Sequence, residues 1–249
     1  MNVPQAADGP TRIDEIADGI YRISTSIPPA VFPGGFTFNQ FLIADDAPLL
    51  YHTGMIRLFP AVRRAIETIL PLDQLRYLSC SHFEADECGA LNLFLDAAPN
   101  ATAVCSAVGA RVTIGEYAIR PPQPMRDGER LSLGRHVVRW LDAPHVPHGW
   151  DCGYMLEETS GTLFCGDLFT QPGNDHEPIV ETDILAASEA MRKRLNYYAL
   201  ARDTRTILAR LAGTRPRVLA CMHGSAWRGE GAKMLDALAD ALDSGAPGS

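Results

Sequence analysis

A short apolar run at residues 75–80 passes directly into Ser81-His82-Phe83-Glu84-Ala85-Asp86-Glu87-Cys88-Gly89, and an apolar helical pattern at 90–97 follows. The order is strand, a loop crowded with potential ligands, then helix. One imidazole and three carboxylates occupy the six positions 82–87. In an extended loop His82, Glu84 and Asp86 alternate and share one direction. Three metal-binding side chains then converge at the carboxyl end of a strand. The plain alternative is a solvated acidic turn, which needs neither the histidine nor the alternation.

The rest of the chain narrows the setting. Its 249 residues, 46% hydrophobic and 21% charged, suit one globular domain. A net charge of -8 with no basic stripe argues against a nucleic-acid partner. No apolar run reaches membrane-spanning length. Residues 1–10 lack the basic start and apolar core of a secretory signal, so a cytoplasmic protein is expected. Six cysteines (80, 88, 105, 152, 165 and 221) include no Cys-x-x-Cys, and free buried thiols are expected.

Strand and helix patterns fall in two runs. Strands are expected at 13–24 (broken at Asp18-Gly19), 37–43, 49–53, 75–80 and 101–105, with helices at 60–70 and 90–97. Residues 119–127 read as a Pro-rich loop. A second run brings hairpins at 130–141 and 154–165, a mostly helical stretch at 182–211, a core strand at 217–221 and a closing helix at 231–242. Residues 1–12 and 244–249 read as flexible tails around one domain, 13–243. The pattern predicts an α+β fold of αββα type, two facing β-sheets with helices outside.

Four strand ends carry a candidate ligand beside Gly or Pro. They are His82/Glu84/Asp86, His145 in Pro144-His145-Val146-Pro147-His148-Gly149, Asp167 after Phe164-Cys165-Gly166, and His223 before Gly224. Three imidazoles and three carboxylates would hold two metal ions, with one carboxylate free to bridge.

These residues resemble the metallo-β-lactamase superfamily, and within it the diiron domain of flavodiiron proteins and oxygen-binding diiron proteins. The likeness runs from about residue 20 to 230. Thr37-Phe38-Asn39-Gln40-Phe41-Leu42-Ile43 is similar to the opening strand. His82-x-Glu84-x-Asp86 is similar to the discriminating motif, where hydrolytic members carry His-x-His-x-Asp-His. His145-Val146-Pro147 resembles the His-Trp-Pro turn, Phe164-Cys165-Gly166-Asp167 the bridging-Asp strand, and His223-Gly224 the closing segment. The resemblance implies His82, Glu84 and His145 on one iron, Asp86 and His223 on the other, and Asp167 between them. Two departures stand out. Glu87 occupies the place of the usual histidine after the motif Asp and would ligate through oxygen. His52-Thr53-Gly54 replaces the usual Asp-Thr-Gly, and His52 reads as core filling rather than a brace.

The ligand types argue separately about chemistry. Neutral imidazoles leave a dizinc site electrophilic and able to generate hydroxide. Anionic oxygens from Glu84, Asp86, Asp167 and Glu87 would cancel two divalent charges and favour iron or manganese redox chemistry. The first expectation is a non-haem diiron protein that binds and reduces dioxygen or nitric oxide. The resemblance places a flavodoxin domain after this one, which 249 residues leave no room for, so an external redox partner is expected. A gas sensor with a signalling partner is the second expectation, and a zinc hydrolase of thioesters, lactones or phosphoesters the third. A homodimer is compatible with all three. His148 reads as a surface-turn residue, Cys88 and Cys165 as packing, and 28–36 as a candidate lid.

Overall fold

A computed structural model describes residues 8–199 and 201–244. The first sheet holds seven strands in sequential order: β1 (Thr11–Ala17), β2 (Ile20–Ile27), β3 (Phe36–Ile43), β4 (Leu49–Tyr51), β5 (Tyr77–Ser79), β6 (Thr102–Ser106) and β7 (Gln123–Met125). The first four are antiparallel, and β4 to β7 run parallel. Parallel neighbours need crossovers, and helices supply them: α1 (Phe59–Ile66), α2 (Ala85–Cys88), α3 (Leu91–Ala97), α4 (Gly109–Val112) and α5 (Ile114–Tyr117). The second sheet adds β8 (Arg130–Ser132), β9 (Val137–Asp142), β10 (Gly153–Glu157), β11 (Thr162–Phe164), β12 (Ile179–Val180), β13 (Val218–Ala220) and β14 (Ala226–Arg228). Its order is β12-β14-β13-β11-β10-β9-β8, with α6 (Leu185–Leu195), α7 (Thr204–Gly213) and α8 (Gly231–Ser244).

Three apolar layers follow from this arrangement. Phe41 and Tyr51 of the first sheet meet Phe164 of the second, with ring centroids 5.5 and 5.2 Å apart, and Trp140 and Met155 complete the inter-sheet layer. The outer face of the first sheet buries Val62, Ile66, Leu91, Phe94 and Leu95. That of the second buries Leu208, Leu211, Leu235 and Leu238. The spacing of three to four residues in each helix is the amphipathic pattern that seats a helix on a sheet. The expected αββα architecture is the observed one.

Several local expectations need correction. Strand β1 begins at Thr11, and the Gly9 N–H already donates to the Ser26 carbonyl at 2.8 Å, so pairing starts inside the stretch expected to be a tail. Residues 1–7 and 245–249 lie outside the described residues. The Pro-rich 119–127 segment contains β7, at an edge where a proline that cannot donate is tolerated. The stretch 182–211, mostly helical as expected, is the two-helix alternative, with Asn196 in the left-handed conformation (φ 50°) closing the first. The motif loop is not extended throughout. Glu84 is (φ -143°, ψ 159°), but α2 starts at Ala85, so Asp86 does not continue the alternation from His82 and Glu84. Among the described residues no helix is long and apolar enough to cross a membrane.

Candidate metal centre

The ends of β5, β11 and β13 and the β9–β10 loop gather at one rim. Strand β3 ties them together: the Asn39 Nδ2 donates to the carbonyls of Cys221 (2.9 Å) and Gly224 (2.8 Å), and the Gly224 N–H donates to Thr37 Oγ1 at 2.7 Å. The Met222 N–H donates to Gly166 O at 2.9 Å, joining the segments that carry Asp167 and His223. Backbone turns there rely on Gly166 (φ 50°) and Gly224 (φ 94°).

Two groups of side chains present donor atoms within 4.8 Å of one another: His82, Glu84, His148 and Asp167, and Asp86, Glu87 and His223. Asp167 faces both. Its Oδ2 lies 3.7 Å from His82 Nε2 and 3.4 Å from His148 Nε2, while its Oδ1 lies 3.2 Å from His223 Nε2. Glu84 Oε2 stands 3.0 Å from the Nε2 atoms of both His82 and His148.

All three imidazoles present Nε2 inward because something else holds Nδ1. His223 Nδ1 donates to the Thr37 carbonyl at 2.8 Å, and His148 Nδ1 to the Tyr197 carbonyl at 2.9 Å. His82 Nδ1 is 3.0 Å from Ser81 Oγ, which is 3.1 Å from His52 Nε2. With His82 Nδ1 as donor, the serine hydroxyl donates onward to a neutral His52. Burial lowers the His52 pKa to about 3, which keeps it in that form. Partners of this kind fix tautomer and ring direction at metal sites. His52 therefore braces the site through Ser81, contrary to its expected role as core filling.

The electrostatics are those of crowded carboxylates. Burial, then the charge of Asp167, pushes the Glu87 pKa far up, and the same two influences raise Asp86 against the pull of His223. Burial opposes a charged His82, yet the carboxylates, Glu87 foremost, raise its pKa well above normal. Hydrogen bonds from His148 and His82 lower Glu84 to about 2. Asp167 is held below the usual carboxylate range, because His223 and His82 more than offset its burial. Glu87 is fully buried, and neither carboxylate oxygen has a hydrogen-bond partner. A buried carboxylate without partners is expensive unless a cation compensates it. Four carboxylates and three inward Nε2 atoms, split into two groups around one shared carboxylate, fit two divalent metal ions.

Six of the seven residues expected in the site are in these groups: His82, Glu84, Asp86, Glu87, Asp167 and His223. His145 is not. Its side chain is exposed at a surface cleft lined by Asp127, Asp142 and Arg210, its backbone is left-handed (φ 64°), and its N–H donates to Gly149 O at 2.8 Å. The tight 145–149 turn sends His148 inward instead. The sequence signal was the His-x-x-His pair itself, but only the Tyr197 carbonyl, 49 residues away, decides between its members. Phe36 and Phe38 cover His223, with ring centroids 4.3 and 5.3 Å away, and Phe32 of the 28–35 loop stacks on Phe36 at 4.6 Å.

Known proteins agree with this architecture. The flavodiiron protein of Giardia intestinalis superposes with a TM-score of 0.80 at 18% identity over 98% of this chain and 61% of that one. Rubredoxin oxygen:oxidoreductase from Desulfovibrio gigas gives 0.78 at 20% identity over 93% and 61%. In sequence, the rubredoxin-oxygen oxidoreductase of Megalodesulfovibrio gigas is 23% identical over 218 residues, covering 79% of this chain and 50% of its own length. The anaerobic nitric oxide reductase flavorubredoxin of Vibrio vulnificus is 23% identical over 207 residues, covering 78% and 41%. The chain thus spans half or less of the length of these curated relatives. A family profile described as ODP family beta lactamase matches residues 36–224. With more than half of its length so matched, on a metallo-β-lactamase fold shared with flavodiiron cores, this chain belongs to the ODP family of beta-lactamases.

Proposed function

We propose that the chain is a non-haem diiron protein that binds dioxygen or nitric oxide and reduces it with electrons from a redox donor. The observation that carries this reading is the shared Asp167 carboxylate, with Oδ2 toward one donor group and Oδ1 toward the other. His82, Glu84 and His148 would hold one ion, Asp86, Glu87 and His223 the second, and Asp167 both. When bound, such a pair supplies electrons to a diatomic gas. Carboxylate-rich donor sets stabilise higher oxidation states and weaken the Lewis acidity that hydrolysis needs. Relatives named for oxygen and nitric oxide reduction point the same way.

The side chains divide the remaining tasks. Ser81, Thr37 and the Tyr197 carbonyl orient the three imidazoles. Phe36 and Phe38 keep water from His223 and so preserve the low-dielectric setting in which its pairing with Asp167 is strong. Glu84 and His148 stand at the solvent edge, where an approaching electron donor meets the site first.

Anaerobic loading with ferrous iron, followed by dioxygen and nitric oxide consumption with an artificial reductant, tests the reading. Zinc-loaded protein is assayed in parallel on thioester, lactone and phosphoester substrates. Gas consumption by the iron form is expected. Hydrolysis by the zinc form with an iron form inert toward both gases would replace the proposal with a hydrolase.

A further inference from the structure

Three of the site's strands share a feature that the metal-binding reading does not use. Each carries a cysteine two residues before a site residue: Cys80 before His82, Cys165 before Asp167, Cys221 before His223. Two of these thiols meet. Strands β11 and β13 pair in parallel, with Phe164 opposite Ala220, and the next residue on each strand is a cysteine. The Sγ atoms of Cys165 and Cys221 are 3.9 Å apart, and both residues are fully buried. The backbone stays tied around them, with the Cys165 N–H donating to Ala220 O at 3.2 Å and the Met222 N–H to Gly166 O at 2.9 Å. Bringing the sulfurs to a bonding distance of about 2 Å therefore falls to side-chain rotation and a small backbone shift.

We propose that Cys165 and Cys221 form a two-electron reserve for the metal centre, closing to a disulfide when the centre reduces a pair of nitric oxide molecules. The proposal rests on the diiron reading above. For nitric oxide the step balances in a single turnover: two NO and two thiols give one N2O, one water and one disulfide. The sulfur–sulfur bond forms as both S–H bonds break, two electrons pass to nitric oxide, and the two protons go to the departing oxygen as water. Each thiol stands two positions along the chain from its site residue, a reach of at most roughly 7 Å between Cα atoms. Burial keeps soluble oxidants and bulky thiols away from the pair, so the metal centre is its natural outlet.

The test counts thiols. Protein is loaded anaerobically with ferrous iron, reduced and freed of reductant. It is exposed to nitric oxide, quenched in acid, alkylated and mapped by mass spectrometry. The loaded protein should lose two of its six thiols, found as a Cys165–Cys221 linkage. The chelator-treated protein should lose none, and Cys221→Ala should lose none while still binding iron. Six intact thiols in an iron-loaded protein that consumes nitric oxide with an artificial reductant would overturn the reserve and leave the diiron reading standing. A linkage between other cysteines would overturn it equally. Protein that takes up no iron and consumes no gas, whatever its thiols do, would overturn the diiron reading itself.

Discussion

The two halves of the centre differ in their exposure. Glu84 and His148 of the first half have side chains 52% and 26% exposed. In the second, Glu87 is fully buried and His223 is sealed beneath Phe36 and Phe38. The open half can meet a donor or a gas at little cost, since water already satisfies its polar edge. The closed half has no such relief: both Glu87 oxygens lack a partner, so burial pushes the carboxyl toward its neutral form, and a cation would be needed to hold it charged. One half is thus built for access and the other for retention, and Asp167 is the only side chain that faces both donor groups among the described residues.

The strongest way to break this division is Asp167→Asn. An amide bridges poorly, so this variant should lose the electronic coupling between the ions and bind both at least ~100-fold more weakly, a larger penalty than outer partners usually carry. Unchanged metal content and spectra would remove Asp167 from the bridging position. Next in size is His148→Ala, which should cost the open half ~100-fold in affinity, while His145→Ala stays within about twofold of wild type. Equilibrium dialysis against graded chelator reads both, and the reverse ranking would restore His145 to the site. Glu87→Gln should weaken the closed half by ~10-fold or more. It should also leave the stability of the metal-free protein within about 1 kcal/mol of wild type, because burial already holds the Glu87 carboxyl in its neutral form there. Denaturant melts of chelator-treated protein measure this, and a large gain on substitution would mean that Glu87 is charged without metal. Among residues of the site the smallest effect belongs to Ser81→Ala, which frees His82 Nδ1 from the relay to His52 and should lower affinity in the open half ~10-fold. Equal losses in both halves would show that the relay does not act through His82.

Much of this site could be read from the chain. Each of His82, Asp167 and His223 follows a run of apolar β residues and stands beside Gly or a turn, so both strand and exit were visible. The layered fold followed from helices with one apolar face alternating with strands. What failed was direction after a turn. Alternation from His82 ends at Glu84, where α2 begins and successive side chains no longer oppose. The resemblance points to His145 rather than His148, whereas the choice rests on the Tyr197 carbonyl, a contact across 49 residues. His52 reads as core filling in the sequence, and its role follows from Ser81 Oγ, 3.1 Å away. Long-range polar partners leave no periodic trace in a sequence, and they decide which of two adjacent polar residues faces a site.

The central claim is that two ions share one carboxylate between an open and a closed half. Mössbauer spectroscopy of protein titrated anaerobically with isotopically enriched ferrous iron, before and after a limited dose of air, addresses it directly. Uptake should stop at two irons per chain, with two inequivalent environments that become magnetically coupled on oxidation. Saturation at one iron, or two irons that remain magnetically independent after oxidation, would contradict it.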